Sequence, residues 1–244
     1  MEKERIQKIL SRCGYGSRRA CEKLITENHV KLNGKFAKLG DKGNLLEDLI
    51  EVDGKIIQKT SHEKIYIALN KPRKVLSEIK KLDERTTVID LVNLDEYLFM
   101  IGRLDYMSQG LILLTNDGDL ANKLSHPRYE HEKEYKVLVK KRPDKKQMEI
   151  WQRGVVLADG YRTLPVKIDV ISSKNSGTWL NIVMREGKKR QIREIGKLIG
   201  LPVKKIIRTR IASIQLGDLE TGAWRYLSKQ EIESLLKTAG NKKK

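Results

Sequence analysis

Cysteine is scarce in this sequence of 244 residues, which contains only Cys13 and Cys21. A disulfide framework or a cysteine-ligated zinc site normally needs at least two closely spaced pairs. We therefore expect two reduced thiols, with no disulfide scaffold and no metal site.

Long apolar stretches are also missing. A membrane-spanning helix needs about 18 or more consecutive apolar residues, and the sequence has no such run. The first ten residues, MEKERIQKIL, carry too many charges for a secretory signal. These features predict a cytoplasmic protein that does not bind membranes.

Acidic residues are outnumbered, because 50 Lys and Arg accompany 32 Asp and Glu. The net charge is +18 and the pI is about 9.8, which favours a polyanionic partner such as nucleic acid. The excess is greatest from Arg185 to Arg210, where ten basic residues accompany two Glu. Such a run is either a solvated surface or, as we expect here, a patch that faces phosphates.

Residues 1–58 have the pattern of a small α+β unit. Apolar residues recur at helical spacing from Ile6 to Leu10, and Ser17 is placed to cap a second helix over residues 18–27. Short strand-like segments then alternate with turns such as Asn33-Gly34. The polar residues 59–63 are expected to form a linker.

Residues 64–238 are predicted to form one larger domain, and residues 239–244 a basic tail. Strands and helices are interspersed without regular β-α-β alternation, so we expect an α+β domain built on a mixed or antiparallel sheet. The segment Lys133–Lys140 alternates apolar and polar residues as a strand does.

The stretch IGRLDYMSQGLILLTNDG, residues 101–118, is the most informative part of the sequence. Its apolar run Leu111–Leu114 is bounded by turn residues and predicts a buried strand. Asp105 then lies on the loop that enters this strand, where a rigid scaffold can hold a reactive side chain. The alternative is a turn aspartate that is solvated or paired with Arg103.

The amino-terminal residues ERIQKILSRCGYGSRRACEKLITENHVKLNGK, followed by LGDKGN and IEVDGK, resemble the S-four-type RNA-binding domain. The resemblance covers nearly all of residues 1–58. It implies that residues at the positions of the family's basic helix contact RNA. These residues are Arg12, Ser17, Arg18, Arg19 and Lys23.

Five blocks of the larger domain resemble the RsuA/RluB/RluE/RluF family of pseudouridine synthases, which modify uridine in ribosomal RNA. They are LNKP (69–72), GRLDYMSQGLILLTNDGDLANKLSHPRYE (102–130), EKEYKV (132–137), REGKKRQIREI (185–195) and IIRTRIASIQLGDLETGAWRYL (206–227). They occur in the order that the family has.

The resemblance implies a catalytic role for Asp105, in the GRLD block. It implies that Tyr135 stacks on the target base and that Arg193 pairs with the aspartate. Arg103 is expected to fill the gap left in the RNA or to grip a phosphate, unless it pairs with Asp117 or Asp119. The residues Lys188, Lys189 and Arg190 are expected to contact RNA.

Isomerisation of uridine breaks a carbon–nitrogen bond, rotates the uracil and forms a carbon–carbon bond, without redox change. No metal or cofactor is therefore expected. Asp105 has two possible roles, as a nucleophile at the anomeric carbon or as a base at the neighbouring sugar carbon. The flipped uracil needs an aromatic support, which Tyr135 would supply.

The sequence departs from the family pattern at three places. Lys74 and Ala212 stand where the family often has Gly, and Met107-Ser108 replaces a pair that contains threonine. None of these changes removes a catalytic group, so we expect them to affect loop shape and target preference.

The RNA target is expected to be 23S rRNA, free or in pre-ribosomal particles, because the blocks resemble the RluB-like branch; 16S rRNA is the alternative. A binding protein that assists ribosome assembly without catalysis is a competing interpretation. A nuclease or glycosidase would need a second carboxylate, a His pair or a metal cluster near Asp105. A monomer is expected.

Overall fold

The computed structural model describes residues 3–57, 63–79 and 83–240. The chain divides into two compact units. The amino-terminal unit contains Met1–Lys64 with Asp95–Tyr97, and the carboxy-terminal unit contains Ile65–Leu94 and Leu98–Lys244. Most of the predicted linker and basic tail, residues 59–62 and 241–244, lies outside the described residues.

In the amino-terminal unit, the part that the structure describes forms two helices and six short strands. In chain order they are β1 (Glu4–Arg5), α1 (Ile6–Arg12), α2 (Arg18–Thr26), β2 (Val30–Leu32), β3 (Lys35–Phe36), β4 (Lys42–Gly43), β5 (Ile50–Val52) and β6 (Lys55–Ile56). Four of these strands pair antiparallel in the order β3-β2-β5-β6, and β1 pairs with β4.

The predicted helix cap in this unit is confirmed. The hydroxyl of Ser17 accepts a hydrogen bond from the backbone N–H of Ala20, 3.2 Å away, at the start of α2. Such a cap satisfies a backbone donor that would otherwise have no intrahelical partner. Apolar residues of α1, α2, β2 and β5 form the core, and Cys13 and Cys21 are free thiols.

The described residues of the carboxy-terminal unit form five helices and nine strands. In chain order these are β7 (Tyr66–Lys71), α3 (Val88–Val92), β8 (Phe99–Ile101), β9 (Gln109–Thr115), α4 (Gly118–Ser125), β10 (Lys133–Val139), α5 (Lys145–Arg153), β11 (Lys167–Lys174), β12 (Gly177–Met184), α6 (Gln191–Leu198), β13 (Val203–Ile211), β14 (Ile214–Gln215), β15 (Trp224–Tyr226) and α7 (Lys229–Gly240). A 3-10 turn, Pro127–Tyr129, precedes β10.

One mixed sheet runs through this unit in the order β11-β12-β10-β13-β9-β7-β15, with β8 on β9 and β14 on β13. The pairing of β13 with β9 is parallel, and the other named pairs in this sheet are antiparallel. The prediction of an α+β domain on a mixed sheet is therefore confirmed.

The strand β9 explains why the run Leu111–Leu114 is apolar without alternation. Leu111 and Leu113 pack into one core cluster, whereas Ile112 and Leu114 pack into the other. Both faces of the sheet are covered at this strand, so successive side chains must all be apolar. The prediction of a buried strand here is confirmed.

The edge strand β11 has no counterpart among the predicted strands. Most of its residues are exposed, including Val170 and Ile171, and Ile168 is its buried residue. An edge strand with little burial has no apolar alternation from which it can be recognised. None of the described helices is both long and apolar enough to cross a membrane.

The closing helix α7 is joined to β15 by a bidentate ion pair. Both terminal nitrogens of Arg225 donate to the carboxylate of Glu231, each over 2.7 Å. These hydrogen bonds lower the pKa of Glu231 from 4.5 to about 2. The pair therefore stabilises the fold above the unfolded-state pKa, and this stabilisation is lost as the pH falls toward the folded-state pKa.

We predict that Arg225→Met lowers the free energy of unfolding by about 0.5–1 kcal/mol at pH 7, because the pair is partly exposed. The deficit should shrink on acidification to pH 3, where the carboxyl of the unfolded chain is protonated. Denaturant unfolding of both proteins at several pH values measures this. A deficit that does not change with pH would contradict the prediction.

Candidate active site

Asp105 lies on the loop of residues 102–108, between β8 and β9. Its side chain is 28% exposed, so it is neither solvated on the surface nor sealed in the core. The backbone N–H of Ser108 donates to the carbonyl of Asp105 over 2.9 Å and closes a tight turn. The carboxylate is thus presented by a short loop that leads directly into the buried strand.

Beside this loop, strand register places three polar side chains in one row across the sheet. Lys71 of β7 is opposite Gly110 of β9, Gly110 is opposite Arg208 of β13, and Arg208 is opposite Tyr135 of β10. Residues opposite one another in adjacent strands share a face of the sheet. Lys71 is fully buried, Arg208 is 1% exposed and Tyr135 is 6% exposed.

Arg193 reaches the same loop from α6. Its Nε lies 3.9 Å from Oδ2 of Asp105, which is an ion pair but too long for a hydrogen bond. The guanidinium also donates to the carbonyl of Met107 over 3.5 Å and to that of Val203 over 3.3 Å. Nε itself is buried without a hydrogen-bond partner among the described residues. The structure therefore brings the predicted pair of Asp105 and Arg193 together.

The surroundings of Asp105 are strongly cationic. Burial lowers the pKa of Lys71 to about 8, the charge of Asp105 opposes that shift, and the charge of Arg208 adds to it. Burial likewise lowers the pKa of Arg193, again against the charge of Asp105. Buried cations are costly without a nearby anion. The single carboxylate of Asp105 therefore compensates more than one buried positive charge.

Lys71 and Arg208 are the residues that sequence reasoning missed. Lys71 belongs to the LNKP block, and its ammonium donates to the carbonyls of Pro72 and Val75 over 2.8 and 2.7 Å. Arg208 lies in the basic run and was expected to face phosphates. That expectation is wrong for Arg208, which is buried, and for Arg210, which forms ion pairs with Glu132 and Glu134. Lys71 and Arg208 both lie in blocks that resemble the family, and this was the signal that could have identified them.

Tyr135 and Arg103 occupy very different environments. Tyr135 packs in the larger core cluster of the sheet, which limits how much of its ring is accessible. The side chain of Arg103 is exposed, and its backbone carbonyl accepts a hydrogen bond from Arg208 over 3.3 Å. Asp117, an alternative predicted partner of Arg103, caps α4 because its carboxylate accepts a hydrogen bond from the N–H of Leu120.

The basic segment of residues 188–190 lies exposed at the start of α6. The ammonium of Lys188 is 3.7 Å from the ring centroid of Tyr161 and 3.4 Å from a carboxylate oxygen of Asp159, so it is partly engaged within the protein. Lys189 and Arg190 are exposed, and Arg190 adopts a left-handed conformation with φ of +58°.

The candidate RNA-binding residues of the amino-terminal unit lie on and before α2. Arg18, Arg19 and Lys23 are exposed, although Lys23 pairs with Glu27 over 3.4 Å. Ser17 serves as the cap of this helix, and Arg12 forms an ion pair with Glu4. A contact of Ser17 with RNA would therefore have to compete with its capping hydrogen bond.

The site has the components for chemistry that uses one carboxylate. Asp105 can act as a nucleophile or a base, Arg193 and Lys71 are cations close to it, and Tyr135 offers an aromatic surface. Within residues 3–57, 63–79 and 83–240, no group of three or more His, Cys, Asp or Glu side chains is arranged to hold a metal ion.

We predict that Gly110→Ala destabilises the carboxy-terminal unit by at least about 2–3 kcal/mol. A Cβ on Gly110 would lie 2.3 Å from the backbone oxygen of Arg208, and φ is +112°. Gly160→Ala is the matched control, because Gly160 also has a positive φ, +81°, but open space around it. Chemical denaturation should show a smaller loss for the control, about 1–2 kcal/mol. Equal losses would mean that the close approach to β13 is unimportant.

Comparison with known protein families agrees with this arrangement. The family model described as RNA pseudouridylate synthase matches residues 65–195, and the model described as S4 domain matches residues 4–42. The chain is 39% identical to the ribosomal large subunit pseudouridine synthase B of Bacillus subtilis, over 95% of each protein. It is 37% identical to the dual-specificity RNA pseudouridine synthase RluF of Escherichia coli K12, over 97% of this chain and 80% of that protein.

Other relatives extend the agreement over the full length. An uncharacterized RNA pseudouridine synthase of Aquifex aeolicus is 40% identical, over 99% of this chain and 97% of that protein. A crystal structure of a pseudouridylate synthase superposes with a TM-score of 0.68 at 26% identity, covering 95% of this chain and 99% of that chain. The resemblance seen in the sequence is thereby confirmed. The chain belongs to the RNA pseudouridylate synthase family and is an enzyme that isomerises uridine in RNA.

Proposed function

We propose that this enzyme converts a specific uridine of 23S ribosomal RNA to pseudouridine, with Asp105 as its catalytic residue. The observation that carries the role of Asp105 is its half-buried carboxylate 3.9 Å from Nε of Arg193, in a loop beside Lys71, Arg208 and Tyr135. The choice of RNA is supported by the Bacillus subtilis relative, which is named for the large ribosomal subunit.

In the proposed reaction the uridine leaves its stack and is bound beside Asp105. The carboxylate either attacks the anomeric carbon or removes a proton from the neighbouring sugar carbon, and the bond from that anomeric carbon to the ring nitrogen breaks. The freed uracil rotates and its ring carbon 5 bonds to the anomeric carbon. This releases the carboxylate in the first route, whereas in the second route the neighbouring sugar carbon regains its proton. Ring carbon 5 then loses its proton and the freed ring nitrogen gains one. The product is an isomer of the substrate, so the atoms balance without a redox partner.

Arg193 and Tyr135 support this reaction in different ways. The guanidinium of Arg193 stabilises the negative charge of Asp105 in a partly dry site, where an isolated carboxylate would be disfavoured. Tyr135 supplies the aromatic contact for the flipped uracil. Because only 6% of Tyr135 is exposed, we expect the base to touch one part of the ring and not to cover it.

The remainder of the RNA is held by basic surfaces on both units. The exposed residues Lys189 and Arg190 lie on the polypeptide just before the helix that carries Arg193, and Arg103 is exposed on the Asp105 loop. We propose that residues 1–58, which contain Arg18 and Arg19, form a separate RNA-binding domain. The net charge of +18 suits such a substrate. We propose that the enzyme acts as a monomer in the cytoplasm, on ribosomal RNA or on a pre-ribosomal particle.

A second RNA substrate is the alternative worth testing. The Escherichia coli relative RluF is named as a dual-specificity enzyme. The site around Asp105 would serve any RNA that presents an unpaired uridine to it. For this reason the assay must include 16S rRNA beside 23S rRNA.

We predict that Asp105→Asn lowers the rate of pseudouridine formation by at least about 10³-fold, because the amide is neither nucleophile nor base. Asp169→Asn, which changes an exposed carboxylate on β11, should form pseudouridine at the same rate as the wild-type enzyme. The measurement is pseudouridine mapping of 23S and 16S rRNA transcripts incubated with each protein in metal-free buffer.

Three outcomes of this assay would contradict parts of the proposal. Full activity of Asp105→Asn would remove Asp105 as the catalytic residue. Modification of 16S rRNA alone would reject 23S rRNA as the target. Binding of every RNA without modification, repeated on pre-ribosomal particles, would favour a non-catalytic role in ribosome assembly.

We further predict that Lys189→Gln combined with Arg190→Asn weakens RNA binding. The slope of log affinity against log salt concentration should become shallower by roughly 0.7 to 0.9 for each phosphate that the variant no longer neutralises. Asn is chosen at position 190 because it tolerates the left-handed backbone found there. The rate with bound RNA should not change. Lys167→Gln combined with Lys174→Gln, on the edge strand β11, is the control of equal charge, and an equal effect of both pairs would show that only total charge matters.

A further inference from the structure

We propose that Ser77 and Arg208 are positioning residues that brace the backbone of the Asp105 loop and so fix the place of its carboxylate. The inference rests on the catalytic role proposed for Asp105. It adds two residues that need not touch the RNA. Their contribution is to hold the main chain on both sides of Asp105.

Ser77 holds the residue that directly precedes Asp105. Its hydroxyl donates to the carbonyl of Leu104 over 2.8 Å and accepts from the N–H of the same residue over 3.1 Å. Ser77 is 8% exposed and Leu104 is buried as well. One hydroxyl therefore satisfies both backbone groups of Leu104, which would otherwise be buried without partners.

The position of Ser77 is itself fixed by its neighbour. The N–H of Leu76 donates to the carbonyl of Thr86 over 2.9 Å, and the carbonyl of Leu76 accepts from the N–H of Val88 over 3.0 Å. Val88 begins α3, which Thr87 and Asp90 close with reciprocal capping hydrogen bonds. The brace at Leu104 is thus anchored to a capped helix.

Arg208 holds the two ends of the segment that contains Asp105. Its Nε donates to the carbonyl of Leu111 over 2.7 Å, and its Nη1 donates to the carbonyl of Arg103 over 3.3 Å. The guanidinium is planar and rigid, so two such bonds set the separation of the two carbonyls. Because Arg208 is buried on a central strand, the sheet determines the distance between these two carbonyls.

The carbonyls between these points are occupied too. That of Asp105 accepts from the N–H of Ser108, and that of Tyr106 accepts from the N–H of Lys74 over 2.8 Å. The carbonyl of Met107 accepts from Arg193. Every backbone carbonyl from residue 103 to residue 107 therefore has a donor. The main chain around Asp105 is therefore held at five successive carbonyls, and none of these hydrogen bonds uses the Asp105 carboxylate.

Such bracing has a catalytic reason beyond stability. A reacting carboxylate must stay within a fraction of an ångström of its productive position, and a shift of about 1 Å can cost about 100-fold in rate. A short loop without regular structure does not supply that precision by itself. Ser77 and Arg208 supply it through the backbone, without a hydrogen bond to the carboxylate itself.

The decisive test compares Ser77→Thr with Ser77→Val. Both variants enlarge the side chain to nearly the same volume, and only Thr keeps the hydroxyl. We expect single-turnover pseudouridine formation by Ser77→Val to be at least about tenfold slower than by Ser77→Thr. The dissociation constant of the RNA should be the same for both, within about twofold. Equal rates for the two variants, with an active unmodified enzyme, would overturn the proposal.

Arg208→Lys tests the other brace, because one ammonium cannot bridge the two carbonyls in the geometry of the guanidinium. Arg225→Lys is its matched control, since Arg225 pairs with Glu231 at the edge of the sheet. We expect at least about a tenfold loss of single-turnover rate for Arg208→Lys and less than about twofold for the control. A normal rate for Arg208→Lys would refute the role of this residue.

Hydrogen exchange of the Leu104 amide provides a measurement that does not depend on activity. The amide should be protected in the unmodified enzyme and in Ser77→Thr, and it should exchange at least about tenfold faster in Ser77→Val. Equal protection in the two variants would overturn the brace even if their rates differed. An unmodified enzyme that makes no pseudouridine would instead reject the proposed function, and the positioning role with it.

Discussion

The close approach of β9 to β13 at Gly110 is the contact on which the site depends. This is the parallel pairing in the sheet, and it joins the strands β10, β11 and β12 on one side to β7 and β15 on the other. A side chain at Gly110 would occupy the space of the Arg208 backbone. No side chain separates the two strands at Gly110. Lys71 of β7 and Arg208 of β13 therefore lie on either side of Gly110, beside the start of β9 and the end of the Asp105 loop.

That arrangement concentrates positive charge around the carboxylate of Asp105. Lys71 and Arg208 are buried, and Arg193 is largely so. Buried cations lower the stability of a fold unless they donate hydrogen bonds or face an anion. Backbone carbonyls of the loop, of β9 and of the segment after β7 accept most of these donors. The hydrogen bonds that offset the cost of burying these cations also order the loop. The same contacts therefore determine both the charge around Asp105 and the position of its backbone.

Two of the three departures from the family pattern stand at positions with a left-handed backbone. Lys74 and Ala212, which stand where the family often has Gly, both adopt left-handed conformations, with φ of +62° and +49°. The chain therefore keeps the backbone shape that favours Gly while it tolerates the strain of a side chain, about 1–2 kcal/mol at each position. At Lys74 this shape directs the backbone N–H to the carbonyl of Tyr106, within the Asp105 loop.

Several local elements and the place of the candidate residue could be predicted from the sequence. Apolar runs, caps and turn residues were sufficient for β9, for the capped helix α2 and for the position of Asp105 at the entrance to a strand, because these features depend on neighbours along the chain. The burial of Arg208, within a run of basic residues, and the hydrogen bonds between Ser77 and Leu104 could not be predicted from the sequence and are seen in the fold. The tertiary structure also decided the register that aligns Lys71, Gly110, Arg208 and Tyr135. These contacts join residues far apart in the chain, and whether a charge is solvated or buried depends on which strand lies beside it.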